Sequence, residues 1–154
     1  MEGEVDASEQ KSEHYEQCKR CSFDANQQRD AAIDEYRKAT GLTSDPEQLA
    51  SAYTDLGVDY DATGSSSEAH ASYDRALQLN PKLFNAYFDR GLLFEKEGKL
   101  EESVTDYRQS VGLQPTVQGY LQLTGALQKL NRMEEARDFY EKARQLASDP
   151  NVIH

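Results

Sequence analysis

The chain has 154 residues and a formal net charge of −11, from 28 acidic and 17 basic side chains. This length suits one domain or one short array, and the negative charge argues against a nucleic-acid partner and against an anionic membrane surface. No apolar run reaches the roughly 18 residues that a membrane span requires. The acidic first residues also lack the apolar stretch of a signal peptide, so we expect a cytoplasmic protein.

The negative charge is concentrated at the N-terminus. Six acids and one lysine in residues 1–16 account for −5 of the total of −11. Residues 1–10 carry few apolar side chains, which predicts an acidic, partly disordered head. An acidic arm that binds a basic partner is the alternative interpretation, and no residue in the segment favours it.

A repeat of about 34 residues runs through the rest of the chain. Six coincidences at one offset indicate an array of similar structural units. The pairs are Tyr53 and Tyr87, Gly57 and Gly91, Tyr60 and Phe94, Gly64 and Gly98, Tyr73 and Tyr107, and Pro81 and Pro115. The pattern returns 33 residues later at Tyr120, Leu127, Asn131 and Tyr140.

Each unit has the pattern of two amphipathic helices. Tyr53, Leu56 and Tyr60 recur at helical spacing, and a Gly-Ser turn at 64–67 then ends the first helix. Pro81 ends the second helix, because proline biases the preceding residue away from helical geometry. We expect about seven or eight helices, with boundaries near Asp45-Pro46, Asn80-Pro81 and Gln114-Pro115. Glycine and alanine are expected where neighbouring helices approach closely, at Gly57, Gly91, Ala69, Ala76, Ala136 and Ala143.

This pattern resembles the tetratricopeptide repeat (TPR) family. The resemblance implies an all-α fold, a right-handed superhelical array of antiparallel helix pairs. It implies three repeats in 50–149, preceded by a degenerate first repeat at 11–48 and followed by a short tail at 150–154. Arg90 departs from the family pattern, which prefers leucine, and Thr124 stands where glycine is usual. The residues that carry the resemblance are Tyr53, Leu56, Gly57, Tyr60, Ala69, Tyr73, Ala76 and Pro81.

One group of side chains has the chemistry of metal ligands. His14, Cys18 and Cys21 lie at a spacing of i, i+4 and i+7. On a helix the ends of this group are roughly 10 Å apart, too far for ligands at about 2.0–2.3 Å from one ion. We expect two core-facing cysteines, no metal and no cofactor, with a redox Cys-x-x-Cys pair as the alternative. No nucleophile, histidine and acid share a catalytic spacing, so we do not expect an enzyme.

The resemblance implies a concave binding groove lined by the first helix of each repeat. Its apolar members lie off the packing stripe and acids flank them, so the expected partner is a protein or peptide segment with apolar anchors and some basic residues. Packing of Phe88 and Leu92 against neighbouring helices is the alternative. The predicted groove residues are Thr54, Asp55, Val58, Asn85, Phe88, Asp89, Leu92, Leu121 and Gln122.

One activity within the family is not expected. Co-chaperones that hold the C-terminal carboxylate of a chaperone use lysine and asparagine side chains in this groove. The corresponding positions here hold residues such as Thr54, Val58, Asp89 and Gln122. Because an acid repels a carboxylate, we predict no binding of such a chaperone tail.

The resulting functional hypothesis is a non-catalytic scaffold or adaptor. The alternative is a structural repeat that assembles with itself through its end face or its groove, and Phe139 is the candidate contact of a homodimer. Phe139 replaces the smaller Ser72 and Asp106 of earlier repeats, and no following helix is expected to cover it. Folding of Phe139 onto its own repeat is a further interpretation. The inward stripe of the same helix is expected at Met133, Ala136, Tyr140 and Ala143.

Overall fold

The computed structural model describes residues 45–149, together with Lys38. The range 45–149 contains six helices and no strand. They are α1 (Pro46–Ala62), α2 (Ser66–Leu79), α3 (Phe84–Lys96), α4 (Leu100–Leu113), α5 (Val117–Lys129) and α6 (Met133–Ser148). The predicted head at 1–10, the tail at 150–154 and the cysteine group lie outside the described residues. The same holds for the predicted first repeat at 11–48, except for Lys38 and residues 45–48, and residues 46–48 form the first turn of α1.

The predicted helix boundaries are confirmed at three places. Asp45 caps α1, where its carboxylate accepts a hydrogen bond from the Glu47 amide at 3.1 Å and Pro46 takes the first helical position. Helix α2 ends at Leu79, two residues before Pro81, and α4 ends at Leu113, two residues before Pro115. Proline thus separates each helix pair from the next.

The turn within each pair depends on one residue with positive φ. Gly64 and Gly98 have φ values of +80° and +77°. The third turn places Asn131 at φ 60°, a left-handed conformation that asparagine adopts more readily than most residues with a side chain. The repeat of 34 and then 33 residues therefore preserves the backbone shape of this turn.

The helices pack as antiparallel pairs, α1 with α2, α3 with α4 and α5 with α6, and each pair stacks on the next. Glycine sets the closest approach within the first two pairs. A Cβ atom on Gly57 would lie 2.6 Å from Cε1 of Tyr73, and one on Gly91 would lie 2.8 Å from Cε1 of Tyr107. Leu93 of α3 joins the cluster around Tyr73, so each core continues into the following pair.

The inward stripe predicted for α6 is only half right. Ala136 and Ala143 are buried as expected, but Met133 is 52% exposed and Tyr140 is 48% exposed. Thr124 explains the position of Tyr140, because its side chain occupies the place where glycine in α1 and α3 admits the facing tyrosine ring. In addition, no helix within 45–149 follows α6 to cover this ring.

Arg90, which departs from the family pattern, forms an ion pair within the second repeat. Arg90 of α3 donates two hydrogen bonds to Asp106 of α4, Nε to Oδ2 and Nη2 to Oδ1, each at 2.7 Å. Its Nη1 also donates to Asp74 of α2 at 2.6 Å. The carboxylates raise the pKa of Arg90, which is charged throughout. The equivalent positions in the first repeat are Leu56 and Ser72, so an ion pair stands here where that repeat has two uncharged side chains.

Ser103 occupies a position that holds alanine, Ala69 and Ala136, in the other two repeats. Its buried hydroxyl makes no hydrogen bond of good geometry within the described residues, only a weaker polar contact with the Tyr107 side chain. Ser103→Ala is therefore expected to raise the free energy of unfolding by up to about 1 kcal/mol, since a poorly satisfied buried hydroxyl is destabilising. Urea unfolding measures the effect. Ser72→Ala is the control, because that hydroxyl donates to Glu68 O at 2.8 Å and its loss should not stabilise the fold; equal effects of both variants would contradict the assignment.

Candidate functional site

The structure places the odd-numbered helices side by side. Helix α1 contacts α3 directly. An ion pair joins α3 to α5, from Glu95 Oε1 to Lys129 Nζ at 2.6 Å. All nine residues predicted for the groove belong to these three helices. The face shared by α1, α3 and α5 is therefore the candidate partner-binding groove.

On α1 two of the predicted groove residues are exposed and the third is buried. Asp55 is exposed and Val58 is 44% exposed. Thr54 is only 2% exposed and cannot contact a partner. It shares a helix face with the buried Ala50 and Gly57, and its hydroxyl donates to Ala50 O at 3.0 Å.

On α3 the two apolar groove residues have a second role. Phe88 and Leu92 are half-buried and pack against the core cluster of α4, α5 and α6. The Phe88 ring centroid lies 5.8 Å from that of Tyr107. The alternative interpretation, packing against neighbouring helices, thus accounts for part of their apolar surface. Asn85 is exposed and Asp89 is half-buried beside them.

On α5 the groove surface is more accessible. Leu121 is 46% exposed, and Gln122 beside it is half-buried. Leu121 stands at the position of Phe88 in the preceding repeat, and Val58 at that of Leu92. The exposed apolar surface on these helices is therefore greatest at the two ends of the described array, at Val58 and Leu121.

Two acids that flank the groove already have partners. Asp61 of α1 pairs with Lys96 of α3 at 2.6 Å. Glu95 of α3 pairs with Lys129 of α5 and accepts a hydrogen bond from the Tyr107 hydroxyl at 2.7 Å. Both carboxylates are therefore already neutralised by a lysine of the following helix pair. The separation of each acid and lysine by 35 or 34 residues, about one repeat, could have revealed these pairs.

Asp55 and Asp89 remain without a cation among the described residues. Burial raises the pKa of Asp89 from 3.8 to about 6, and the negative charges of Asp55 and Asp61 contribute further. Burial also raises the pKa of Asp55, with a contribution from Asp59. A basic side chain from a partner would relieve this repulsion.

The raised pKa of Asp89 predicts a pH-dependent stability. The folded state binds the Asp89 proton more tightly than the unfolded state does, so protonation of Asp89 stabilises the fold. That contribution is fully present below about pH 4 and is lost as the pH rises through about 6. Asp89→Asn should raise the free energy of unfolding at pH 7.5 by about 1–2 kcal/mol, allowing for solvent screening. Urea unfolding of both proteins at pH 4.5 and 7.5 measures it.

Two results would contradict this account of Asp89. One is a gain in stability that is equal at both pH values, since a neutral asparagine should matter only where Asp89 is ionised. The other is a loss of stability at pH 7.5, which would mean that the carboxylate has a favourable partner. Glu68→Gln is the control, because Glu68 is an exposed helical acid away from the groove.

Family models match most of the described array. A model described as TPR repeat matches residues 59–98, and one described as tetratricopeptide repeat matches 84–117 and again 117–150. The matched residues, 59–150, make up more than half of the chain. The chain belongs to the tetratricopeptide repeat family. Repeats of this family are generally non-catalytic protein-interaction modules, and membership supports that general role for this chain.

Solved structures agree with the TPR fold. The crystal structure of MamA is 23% identical, with a TM-score of 0.69, over 76% of this chain and 67% of MamA. The N-terminal domain of stress-induced protein-1 (STI-1) from C. elegans is 21% identical, with a TM-score of 0.64, over 70% of this chain and 91% of that domain. At these identities the likeness shows the fold, an array of TPR-type helix pairs. The search of curated proteins found no match.

Phe139 of this TPR array is not the uncovered side chain that the sequence suggested. It is half-buried, and its ring stacks on Tyr120 of α5 with centroids 6.0 Å apart. Arg108 and Lys142 lie over the same ring, at 5.1 and 4.8 Å from its centroid. The ring therefore folds onto its own repeat, and its role as a contact between two copies stays a prediction.

Other kinds of site were sought in the described part of the chain. It holds no group of three or more histidine, cysteine or acidic side chains that could bind a metal ion. None of its helices is both long and apolar enough to cross a membrane.

Proposed function

We propose that the face formed by α1, α3 and α5 binds an extended segment of another protein through apolar anchors and one basic side chain. The observation that carries the proposal is the exposed apolar surface on the helices that hold the unneutralised acids. Val58 and Leu121 are each more than two-fifths exposed, although the array offers a packed core to such side chains. Exposed apolar side chains beside a polar rim are typical of a binding surface.

Charge further specifies the bound segment. The half-buried Asp89 is destabilised by Asp55 and Asp61, and Asp61 already holds Lys96. A lysine or arginine of the partner placed near Asp89 and Asp55 would form a partly desolvated ion pair, which favours the correct partner and its orientation. Because the buried carboxylate of Asp89 weakens the fold, its presence is better explained by a role in binding than by a role in stability.

This proposal makes the chain a scaffold or adaptor module. The cytoplasmic location and the homodimer through Phe139 stay predictions from the sequence. No contact in the described structure favours the homodimer, since the Phe139 ring packs within its own chain. The interaction module with a separate protein partner is the function that the geometry supports best.

Capture of partners from a lysate of the source cells tests the groove. Leu121→Gln and Val58→Thr should each weaken partner capture by about tenfold, because each removes an apolar anchor without adding charge. Leu113→Gln is the matched control, since Leu113 is 40% exposed on α4, outside the groove helices. Equal capture by all variants, with unchanged melting temperatures, would contradict the groove.

Two further probes sharpen this experiment. Phe88→Glu should weaken capture and also lower the melting temperature, because Phe88 packs against the core. A Met-Glu-Glu-Val-Asp peptide should not bind in this groove, since Asp55 and Asp89 would repel its carboxylates. Tight binding of that peptide that is lost in Leu121→Gln would overturn the charge preference assigned to the groove.

A further inference from the structure

A second cleft lies where α4, α5 and α6 meet. It consists of two adjoining cavities of about 210 and 270 Å³, which share Tyr120 and Lys142 in their walls. The cleft shares no residue with the candidate groove. The first cavity is completed by Arg108, Val111, Gly112 and Phe139, and the second by Pro115, Gln145, Leu146 and Asp149.

Two cations line this cleft around one aromatic ring. Lys142 Nζ lies 4.8 Å from the Phe139 centroid and the Arg108 guanidinium carbon lies 5.1 Å from it. Arg108 also pairs with Glu135. Lys142 has no ion pair with any described residue, and Asp149 is the acid among the cleft-lining residues. The positive charge at Lys142 is thus not neutralised within 45–149.

The preceding repeat shows how the chain fills the equivalent cleft. There the cavity between α2 and α3 is lined by Asp74, Leu77, Gln78, Tyr87 and Arg90. Two carboxylates, Asp74 and Asp106, hold the guanidinium of Arg90. One repeat later the positions of these acids carry Arg108 and Phe139, so the carboxylates of the first cleft are replaced by a cation and a ring.

We propose that the cleft between α4, α5 and α6 binds an acidic peptide segment of a partner protein, with a carboxylate at Lys142 and Arg108 and an aliphatic side chain against Tyr120 and Leu146. The surrounding charge permits this. Residues 117–149 carry five basic and five acidic side chains, whereas the whole chain carries −11. An acidic segment therefore meets the least negative part of the molecule.

The inference goes beyond the proposed groove, because the two surfaces select opposite charges. The groove favours a basic segment at Asp55 and Asp89, and the cleft favours an acidic one at Lys142. A module with both surfaces can hold two different segments at once, which is what a bridging adaptor requires.

A labelled peptide, Gly-Glu-Leu-Asp-Leu-Glu-Gly, tests the cleft against the full chain. Fluorescence anisotropy should show affinity about tenfold higher than for the same peptide with glutamine or asparagine at each acidic position, and salt should weaken it. Lys142→Glu should weaken binding by about tenfold, whereas Gln109→Glu, the equivalent exposed position of the preceding repeat, should have little effect. Amide NMR shifts should centre on Phe139 and Lys142.

Three results would overturn the proposal. The first is the absence of binding, or equal binding of the acidic peptide and its neutral counterpart. The second is a set of NMR shifts centred on α1 and α3, which would place the acidic peptide in the groove and contradict the charge assigned there as well. The third is occupation of the cleft by the chain's own acidic residues 1–16. In that case the full chain would not bind the peptide, and removal of residues 1–16 would change the amide NMR shifts of Phe139 and Lys142.

The proposals for the groove and for the cleft can be tested independently. Leu121→Gln should leave binding of the acidic peptide unchanged, and Lys142→Glu should leave partner capture through the groove unchanged. Loss of acidic-peptide binding in Leu121→Gln would overturn the second site, because it would show that the groove itself holds the peptide.

Discussion

Asp106→Ala should lower the free energy of unfolding by about 3 kcal/mol, because it leaves the half-buried Arg90 guanidinium without its bidentate partner. The Asp106 side chain is 4% exposed and accepts two of the hydrogen bonds from Arg90. The remaining partner, Asp74, is far more exposed, so its carboxylate is screened by solvent and replaces Asp106 only in part. Chemical denaturation monitored by circular dichroism measures the change.

A double variant separates the ion pair from the packing. Arg90→Leu with Asp106→Ser reproduces the pair Leu56 and Ser72 of the first repeat. Since removing both charges avoids the uncompensated buried charge that makes the single substitution costly, the double variant should return to within about 1 kcal/mol of the wild-type protein. Asp74→Ala is the control for the exposed contact and should cost less than about 1 kcal/mol. A double variant as unstable as Asp106→Ala would contradict this interpretation.

Gly57→Leu should cost at least about 3 kcal/mol, because it overfills the contact between α1 and α2. The Cβ atom alone would lie 2.6 Å from a ring carbon of Tyr73, and that ring is 1% exposed with core residues around it. The third repeat shows the structural consequence of a side chain at this position. Thr124 is accommodated there with Tyr140 turned outward to 48% exposure.

Gly125→Ala supplies the matched control for the substitution at Gly57. It replaces a helical glycine of α5 where an added Cβ would meet no atom within 4 Å. That variant should gain up to about 1 kcal/mol from helix propensity. Thermal unfolding of the two variants should therefore shift in opposite directions, and a Gly57→Leu protein with wild-type stability would show that Tyr73 moves without loss.

Most of the fold could be predicted from the sequence because glycine, tyrosine and proline all recur at the same repeat offset. Gly57 with Tyr73 and Gly91 with Tyr107 are pairs whose small and large partners recur at one offset, and both prove to be contacts. Proline at 81 and 115 marks the separations between pairs. Such regularity fixes the array, since each unit has to bury the same face against its neighbours.

Some departures from the repeat occur in pairs, and each pair predicts a contact between the two residues. Arg90 and Asp106 are the substituted forms of Leu56 and Ser72, and both pairs are separated by 16 residues. Two coupled departures at equal spacing indicate one new contact, which is the buried ion pair. By contrast, Tyr140 was predicted to face inward although Thr124 had already been identified as a departure, and the consequence for the facing ring was missed.

The candidate groove was less predictable because exposure depends on neighbours. Thr54, Phe88 and Leu121 occupy one repeat position, yet Thr54 is buried, Phe88 half-buried and Leu121 exposed. The repeat pattern assigns them one face of the helix, but the helices on each side determine how much of that face is covered. The second cleft was missed for the same reason, since Arg108, Tyr120 and Lys142 come together only through the stacking of three helices.

Photocrosslinking from the groove tests the central claim most directly. A benzophenone amino acid placed at Leu121, which is 46% exposed, should form covalent links to a captured partner protein. The same group at Met133, which is 52% exposed on α6 and lines neither the groove nor the cleft, should not. Links from position 121 to a partner peptide that contains apolar and basic residues are the predicted result. Links from position 133 alone, with none from position 121, would contradict partner binding on α1, α3 and α5.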